Sequence, residues 1–215
     1  MRIIASALLS TLLMLSLSSN AALLQLEKGA RSIEGVNIAK SAQGTLDDKK
    51  IELGSVGAGL RWKKVLLMKV KVYVAQLLIS SPERFVRKSA EALKSLEDSE
   101  SVAIQLSFLR SVDADTVQSS FRDALNVNKV DMNTPAIKAF LEAVRKGGDA
   151  DAGASLTILV TKHSDGSESL IYEDTAGHQT RINGEKGLAY KIFSIWLGTP
   201  SDDGVASLKN DIVNP

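Results

Sequence analysis

The chain has 215 residues, 44% hydrophobic and 24% charged, with Lys+Arg 26 set against Asp+Glu 25 and no cysteine. That balance removes any global electrostatic argument for nucleic acid or an anionic membrane, and the missing thiols exclude disulfides, thiolate catalysis, cysteine-bound zinc and lipidation at cysteine. The hydrophobic share is that of a globular protein, and the length suits one core that needs neither metal nor disulfide.

Residues 1–21 read as a secretory signal peptide. Arg2 supplies the positive start, Ile3 to Leu17 form an apolar run, and Ser19-Asn20-Ala21 offers small residues for cleavage after Ala21 or Ala22. A helix of roughly 15 residues spans only about 22 Å, short of the ~30 Å hydrocarbon core. Residues 22–215 are therefore expected to form a single secreted domain with no transmembrane segment, and a Gram-negative periplasm fits best.

Val36 to Lys40 and Lys50 to Leu53 read as short strands around the polar turn Gly44-Thr45-Leu46-Asp47-Asp48. The glycine-rich Gly54 to Gly59 reads as a tight turn or bulge. Leu60 to Lys64 and the run Val65 to Ile79 follow as strand, with Val70, Val72 and Val74 alternating with Lys69, Lys71 and Tyr73. Pro82 is expected to open a helix whose stripe is Phe85, Val86, Ala90, Leu93 and Leu96.

Val102 to Phe108 alternates as a strand, and Asp113 or Asp115 can cap a helix carrying Val117, Phe121, Ala124 and Leu125 on one face. A further helix with Ile137, Phe140, Leu141 and Val144 ends at Gly147-Gly148. Ser155 to Lys162 and Ser167 to Glu173 read as a hairpin, with a short strand around Thr180 to Ile182 after it. Gly184 to Leu197 is a helix apolar on more than one face, and Leu208, Ile212 and Val213 close the chain on a short amphipathic one. Hairpin-ordered strands with helices grouped between them imply an antiparallel α+β domain.

No P-loop, dinucleotide fingerprint, HExxH or GxSxG is present. Gly54, Gly57 and Gly59 imitate a phosphate loop, but strand rather than helix follows them. His163 could be grouped on paper with Asp165, Glu168 and Asp174, yet a polar hairpin tip accounts for all four, so neither metal nor cofactor is expected. Arg61 and Tyr73 form the more informative pair. If their segments pack side by side, a guanidinium fork and a phenol converge on one anion, and a carboxylate suits that fork. The competing reading is a surface strand with Lys69, Lys71 and Tyr73 on its polar face.

The string GAGLRWKKVLLMKVKVYVAQLLI resembles the first sheet segment of the chalcone isomerase-like family: a glycine-rich turn, an arginine, then a long strand ending here in Val72-Tyr73-Val74-Ala75-Gln76-Leu77-Leu78-Ile79. Leu106-Ser107-Phe108-Leu109-Arg110-Ser111-Val112 before a helix, and Ile195-Trp196-Leu197-Gly198 late in the chain, are similar in order and spacing. The likeness runs from about Val36 to the end, and Ser207-Leu208-Lys209 resembles the secreted bacterial branch. It implies an open-faced β-sandwich: a large antiparallel sheet with helices packed on one face, a small sheet beside it, and a ligand cleft between sheet and helices.

In the plant enzymes of this family an arginine, a threonine, a tyrosine and an asparagine serve cyclisation of a chalcone to a flavanone. By position these fall on Arg61, Tyr73, Thr116 and Asp123, with a late specificity residue near Ile195. Only the arginine is kept, and losing positioned hydroxyls costs roughly 10²-fold or more in rate each. Arginine with tyrosine is instead the pair of the non-catalytic fatty-acid-binding relatives. Gln76 stands where glycine is usual, so it either fills part of the cleft or alters the strand.

The resemblance thus implies a non-catalytic periplasmic protein holding a small amphipathic anion, such as a fatty acid, at a ligand site of Arg61, Tyr73, Thr116, Asp123 and Ile195. Its alternatives are an intramolecular lyase of chalcone isomerase type and an envelope protein-interaction module with a filled cleft, whose partner the sequence does not name. A cleft of about 300 Å³ or more beside Arg61 separates ligand-dependent readings from the filled one.

Overall fold

Eight strands pair in chain order into one antiparallel sheet: β1 (Gln25–Ile33), β2 (Val36–Leu46), β3 (Lys49–Val65), β4 (Met68–Ile79), β5 (Ser101–Phe108), β6 (Ser155–Lys162), β7 (Glu168–Glu173) and β8 (Gln179–Gly184). The computed structural model describes residues 22–215, so the expected signal peptide lies outside the described residues. The helices are α1 (Ala92–Ser95), α2 (Ala114–Val127), α3 (Pro135–Lys146), α4 (Leu188–Leu197) and α5 (Asp203–Val213). No helix among the described residues is long and apolar enough to cross a membrane.

One face of the sheet carries the helices. Tyr73, Ala75, Leu77 and Ile79 of β4 and Val102, Ile104, Leu106 and Phe108 of β5 point into the same apolar cluster as Phe121, Phe140, Phe193 and Trp196. Each such aromatic contributes roughly 1.5–3 kcal/mol on burial, and Phe121 stacks on Phe140 with centroids 6.0 Å apart. This is the α+β layering expected from the sequence, but the implied small sheet is not separate. The strands coil so far that β1 and β2 lie across the second face, where Leu23, Leu24, Ala42 and Leu53 pack on Leu78, Ala103, Leu159 and Ile171. The Leu23 N–H reaches the Glu173 carboxylate of β7 at 2.8 Å, and the β2–β3 turn meets β8 through Asp47 and Arg181 at 2.6 Å.

Gln76 explains where β2 leaves its partner. Pairing of β2 with β3 stops at Ser41 opposite Gly54, and the earlier part of β2 crosses over β4. There the Gln76 side chain accepts from the Ala39 N–H at 3.0 Å and donates to the Ala39 carbonyl at 2.5 Å. It therefore alters strand geometry on the face away from the helices and fills none of the cleft.

Several local expectations change. β1 escapes a pattern reading because it is a largely exposed edge strand with little alternation. The glycine-rich segment is no tight turn: β3 runs through it with a bulge between Ser55 and Gly57. The chain turns instead at Leu66-Leu67, which the surrounding apolar run conceals. Residues 82–98 form a 3₁₀ turn at Pro82–Arg84, the single turn of α1 and another 3₁₀ turn, not one helix. Phe85, Leu93 and Leu96 are still buried; the Val86 N–H is satisfied by Ser95 Oγ at 3.1 Å rather than by a helical carbonyl.

Candidate functional site

Gly57, Gly59 and Arg61 lie at successive same-face positions of β3 and fix how α5 lands. A Cβ at Gly57 would run into the Ile212 carbonyl, and one at Gly59 would stand 2.5 Å from the Asp211 side chain, so α5 lies against bare backbone. At the start of α5, Gly204 presses against the Trp62 carbonyl and the Arg61 guanidinium, again with no room for a side chain. Asp202 caps the helix, its Oδ1 accepting from the Val205 N–H at 2.9 Å. Its Oδ2 takes a charge-assisted hydrogen bond from Arg61 Nη2 at 2.6 Å.

Arg61 sits directly opposite Tyr73 in the β3–β4 ladder, as the side-by-side condition required. Both are buried, Arg61 at 7% and Tyr73 at 8% exposure. The guanidinium also donates to the Trp62 carbonyl. The Tyr73 hydroxyl accepts from Trp196 Nε1 at 3.1 Å, which leaves its own proton to donate. Burial pushes the Tyr73 phenol above its ordinary range, with Arg61 and the Trp196 bond offsetting part of the shift, so the phenol remains a neutral donor. Burial alone would raise the Asp202 carboxyl, but the Arg61 hydrogen bond and the Val205 N–H outweigh it and hold that carboxyl below its usual range.

Beside this pair opens a cleft of about 250 Å³. Its floor is Tyr73 and Phe108, set edge-to-face with centroids 5.6 Å apart. Its walls include Phe121 of α2, Ile195 of α4 and Val205 of α5, and the exposed Lys63 and Asp123 mark its mouth. The fold thus brings together Arg61, Tyr73, Asp123 and Ile195. Thr116 stands outside the lining: it is exposed in the first turn of α2, its Oγ1 bonded to Asp113 at 2.8 Å. The volume falls a little under the roughly 300 Å³ usual for a drug-sized ligand. A larger hollow of about 470 Å³ beside Lys50, Lys162 and His163 contains no arginine–phenol pair.

Asp202 is the site residue that sequence reasoning missed. Asp202-Asp203 ahead of Val205 and Leu208 is a legible helix start, but no local signal says that this helix ends on Arg61. The carboxylates that could be grouped with His163 on paper have separate duties. Asp165 holds the Ser167 N–H within its turn. Glu168 caps α4 through the Gly187 and Ala189 N–H groups at 2.9 and 2.6 Å, and Asp174 binds His178 Nδ1 at 3.1 Å.

A coiled antiparallel sheet with helices on one face and a cleft holding an arginine–tyrosine pair defines an open-faced α+β sandwich with a candidate anion site. The chain belongs to the chalcone isomerase-like family, whose model matches residues 30–213. Among solved structures it is similar to that of the Arabidopsis thaliana fatty-acid binding protein, with a TM-score of 0.51 and 14% identity, over 80% of this chain and 96% of that one. At that identity the likeness is one of fold. No curated protein matches the chain.

Proposed function

We propose that the protein is a non-catalytic binder of a small amphipathic carboxylic acid, a fatty acid in the first instance, and that it works in the periplasm of a Gram-negative bacterium. The observation that carries this reading is that Arg61 already clasps a carboxylate, that of Asp202 at 2.6 Å, at the wall of an apolar cleft and across the ladder from the Tyr73 hydroxyl. A ligand carboxylate takes the place of Asp202 on the guanidinium fork and accepts the Tyr73 proton, while its chain lies against Phe108, Phe121 and Ile195. The structural relative is itself a fatty-acid binding protein, which supports the choice of ligand. The cleft's modest volume favours a short chain, or a longer one whose tail leaves past Lys63. The signal-like N-terminus supports the compartment.

Titration of a fluorescent fatty acid tests the reading. Arg61→Ala should weaken binding by roughly 10–150-fold, the worth of a charge-assisted fork of about 1.5–3 kcal/mol. Arg61→Lys should fall between, keeping charge without the fork, and Tyr73→Phe should cost about 0.5–1.5 kcal/mol. Equal affinities in all four proteins, or a methyl ester binding as tightly as the acid, would remove the pair from the site. Absence of binding by the unaltered protein would favour the reading in which Asp202 and the surrounding side chains fill a purely structural cleft.

A further inference from the structure

The β3–β4 hairpin ends in four consecutive exposed apolar residues: Val65 at 48%, Leu66 at 88%, Leu67 at 91% and Met68 at 68% exposure. Val65 pairs with Met68, so Leu66 and Leu67 are the whole of a two-residue loop. Leu66 adopts a φ of 55°, a left-handed conformation that such loops normally give to glycine or asparagine. Neither packing nor turn chemistry calls for leucine at either place, so the apolar tip is retained against both.

The charges around the tip say what covers it. From Glu52 to Glu83 the chain has no acidic residue, while Lys63, Lys64, Lys69 and Lys71 bracket the tip on both strands. Lys71 bonds Glu34 at 2.6 Å, and Lys69 lies over the Trp62 ring at 4.2 Å. Lys63 and Lys64 are exposed and have no ion-pair partner among the described residues. A second copy of the chain would oppose one lysine collar to another, which repels. An anionic bilayer complements both features at once: leucine and methionine enter the boundary of the acyl chains while the lysine ammonium groups reach the phosphates.

We propose that the β3–β4 hairpin docks the protein on an anionic lipid bilayer. Leu66 lies five residues beyond Arg61, or about 17 Å at the strand rise, and Lys63 belongs both to the collar and to the cleft mouth. Docking therefore sets the cleft opening close to the bilayer surface. The inference stands whether or not the cleft holds a fatty acid, because vesicle binding is read without one.

Flotation with vesicles of phosphatidylcholine, alone or with roughly one-third phosphatidylglycerol, tests it, every protein being compared in the same N-terminal form. The unaltered protein should float with the anionic vesicles at low salt and much less with phosphatidylcholine or at high salt. The double change Leu66→Gly, Leu67→Ser suits the turn better, so it folds at least as well, and it should weaken binding about tenfold or more. Lys63→Gln with Lys64→Gln should weaken anionic binding by about 5- to 25-fold, at up to fivefold per lysine. Equal flotation of the unaltered protein and the double leucine variant would overturn the proposal, as would an unaltered protein that stays unbound at low salt. A dimer that the leucine changes convert to monomer would likewise overturn it, assigning the tip to a second copy.

Discussion

Arg61 is held on three sides, by its strand, by the Trp62 carbonyl and by the Asp202 carboxylate, so anything it binds must compete with a neighbour on the same chain. Asp202→Asn separates the two roles of that neighbour. Asparagine caps a helix about as well as aspartate, but it carries no charge to occupy the guanidinium. Affinity for a fatty acid should rise about tenfold, within the worth of one charge-assisted hydrogen bond. A cleft that never engages Arg61 predicts no change in the titration. The same substitution tests the depressed Asp202 carboxyl. Because the folded pKa lies below the unfolded value of about 3.9, the unfolded state binds the extra proton first. The contribution is therefore complete above about pH 5 and is lost as pH falls through the folded pKa. Urea unfolding at neutral and acid pH should show a shallower acid loss in Asp202→Asn, superimposed on what the other lowered carboxyls, such as Asp113 and Asp165, still contribute.

At the scale of elements, the placement of α5 on β3 depends on side chains that are absent. Gly57→Ala puts a methyl group into the Ile212 carbonyl, and since neither backbone can retreat freely the helix must shift. A cost of about 1–3 kcal/mol is expected in urea unfolding, the usual range for overpacking, along with weaker ligand binding because Val205 of the cleft wall moves with the helix. Gln76 fixes the other face. Gln76→Ala leaves the Ala39 N–H and carbonyl without their partner beneath β2. About 1–3 kcal/mol should be lost, with affinity at the cleft unchanged because Gln76 points away from it. A loss of ligand binding in a folded Gln76→Ala protein would contradict this division of the sheet into two faces.

For the molecule as a whole, Thr116 and Asp123, which the sequence resemblance sets against the tyrosine and asparagine of the plant enzymes, lie outside the cleft and at its mouth. Organising a water against a developing enolate needs donors aimed into the cleft. The expected result is that a chalcone loses absorbance no faster with the protein than without it at neutral pH. A protein-dependent loss abolished by Arg61→Ala would restore the lyase reading. The near-zero net charge also conceals a local field: lysines gather around one hairpin whose own strands carry no acidic residue after Glu52, so the global balance, which gives no argument for membrane attraction, does not describe the β3–β4 tip.

By itself the sequence determined which residues form β5, β6, β7, α2 and α3, because their alternation, caps and turn glycines act within a few residues. Asp113 caps α2 as read, and Gly166 turns the β6–β7 hairpin with a φ of 86°. The likeness around Arg61 and Tyr73 reached the family for the same reason, since a motif on two adjacent strands is nearly local. Tertiary structure alone decided the rest. The glycines of β3 read as a turn until α5 lies on them, Gln76 reads equally as filling the cleft or altering the strand until β2 folds across it, and the leucines of the hairpin tip read as strand until the chain reverses there. Asp202 is 141 residues from Arg61 along the chain. Contacts at that separation are set by how a coiled sheet and its helices close on one another, which no local pattern of side chains encodes.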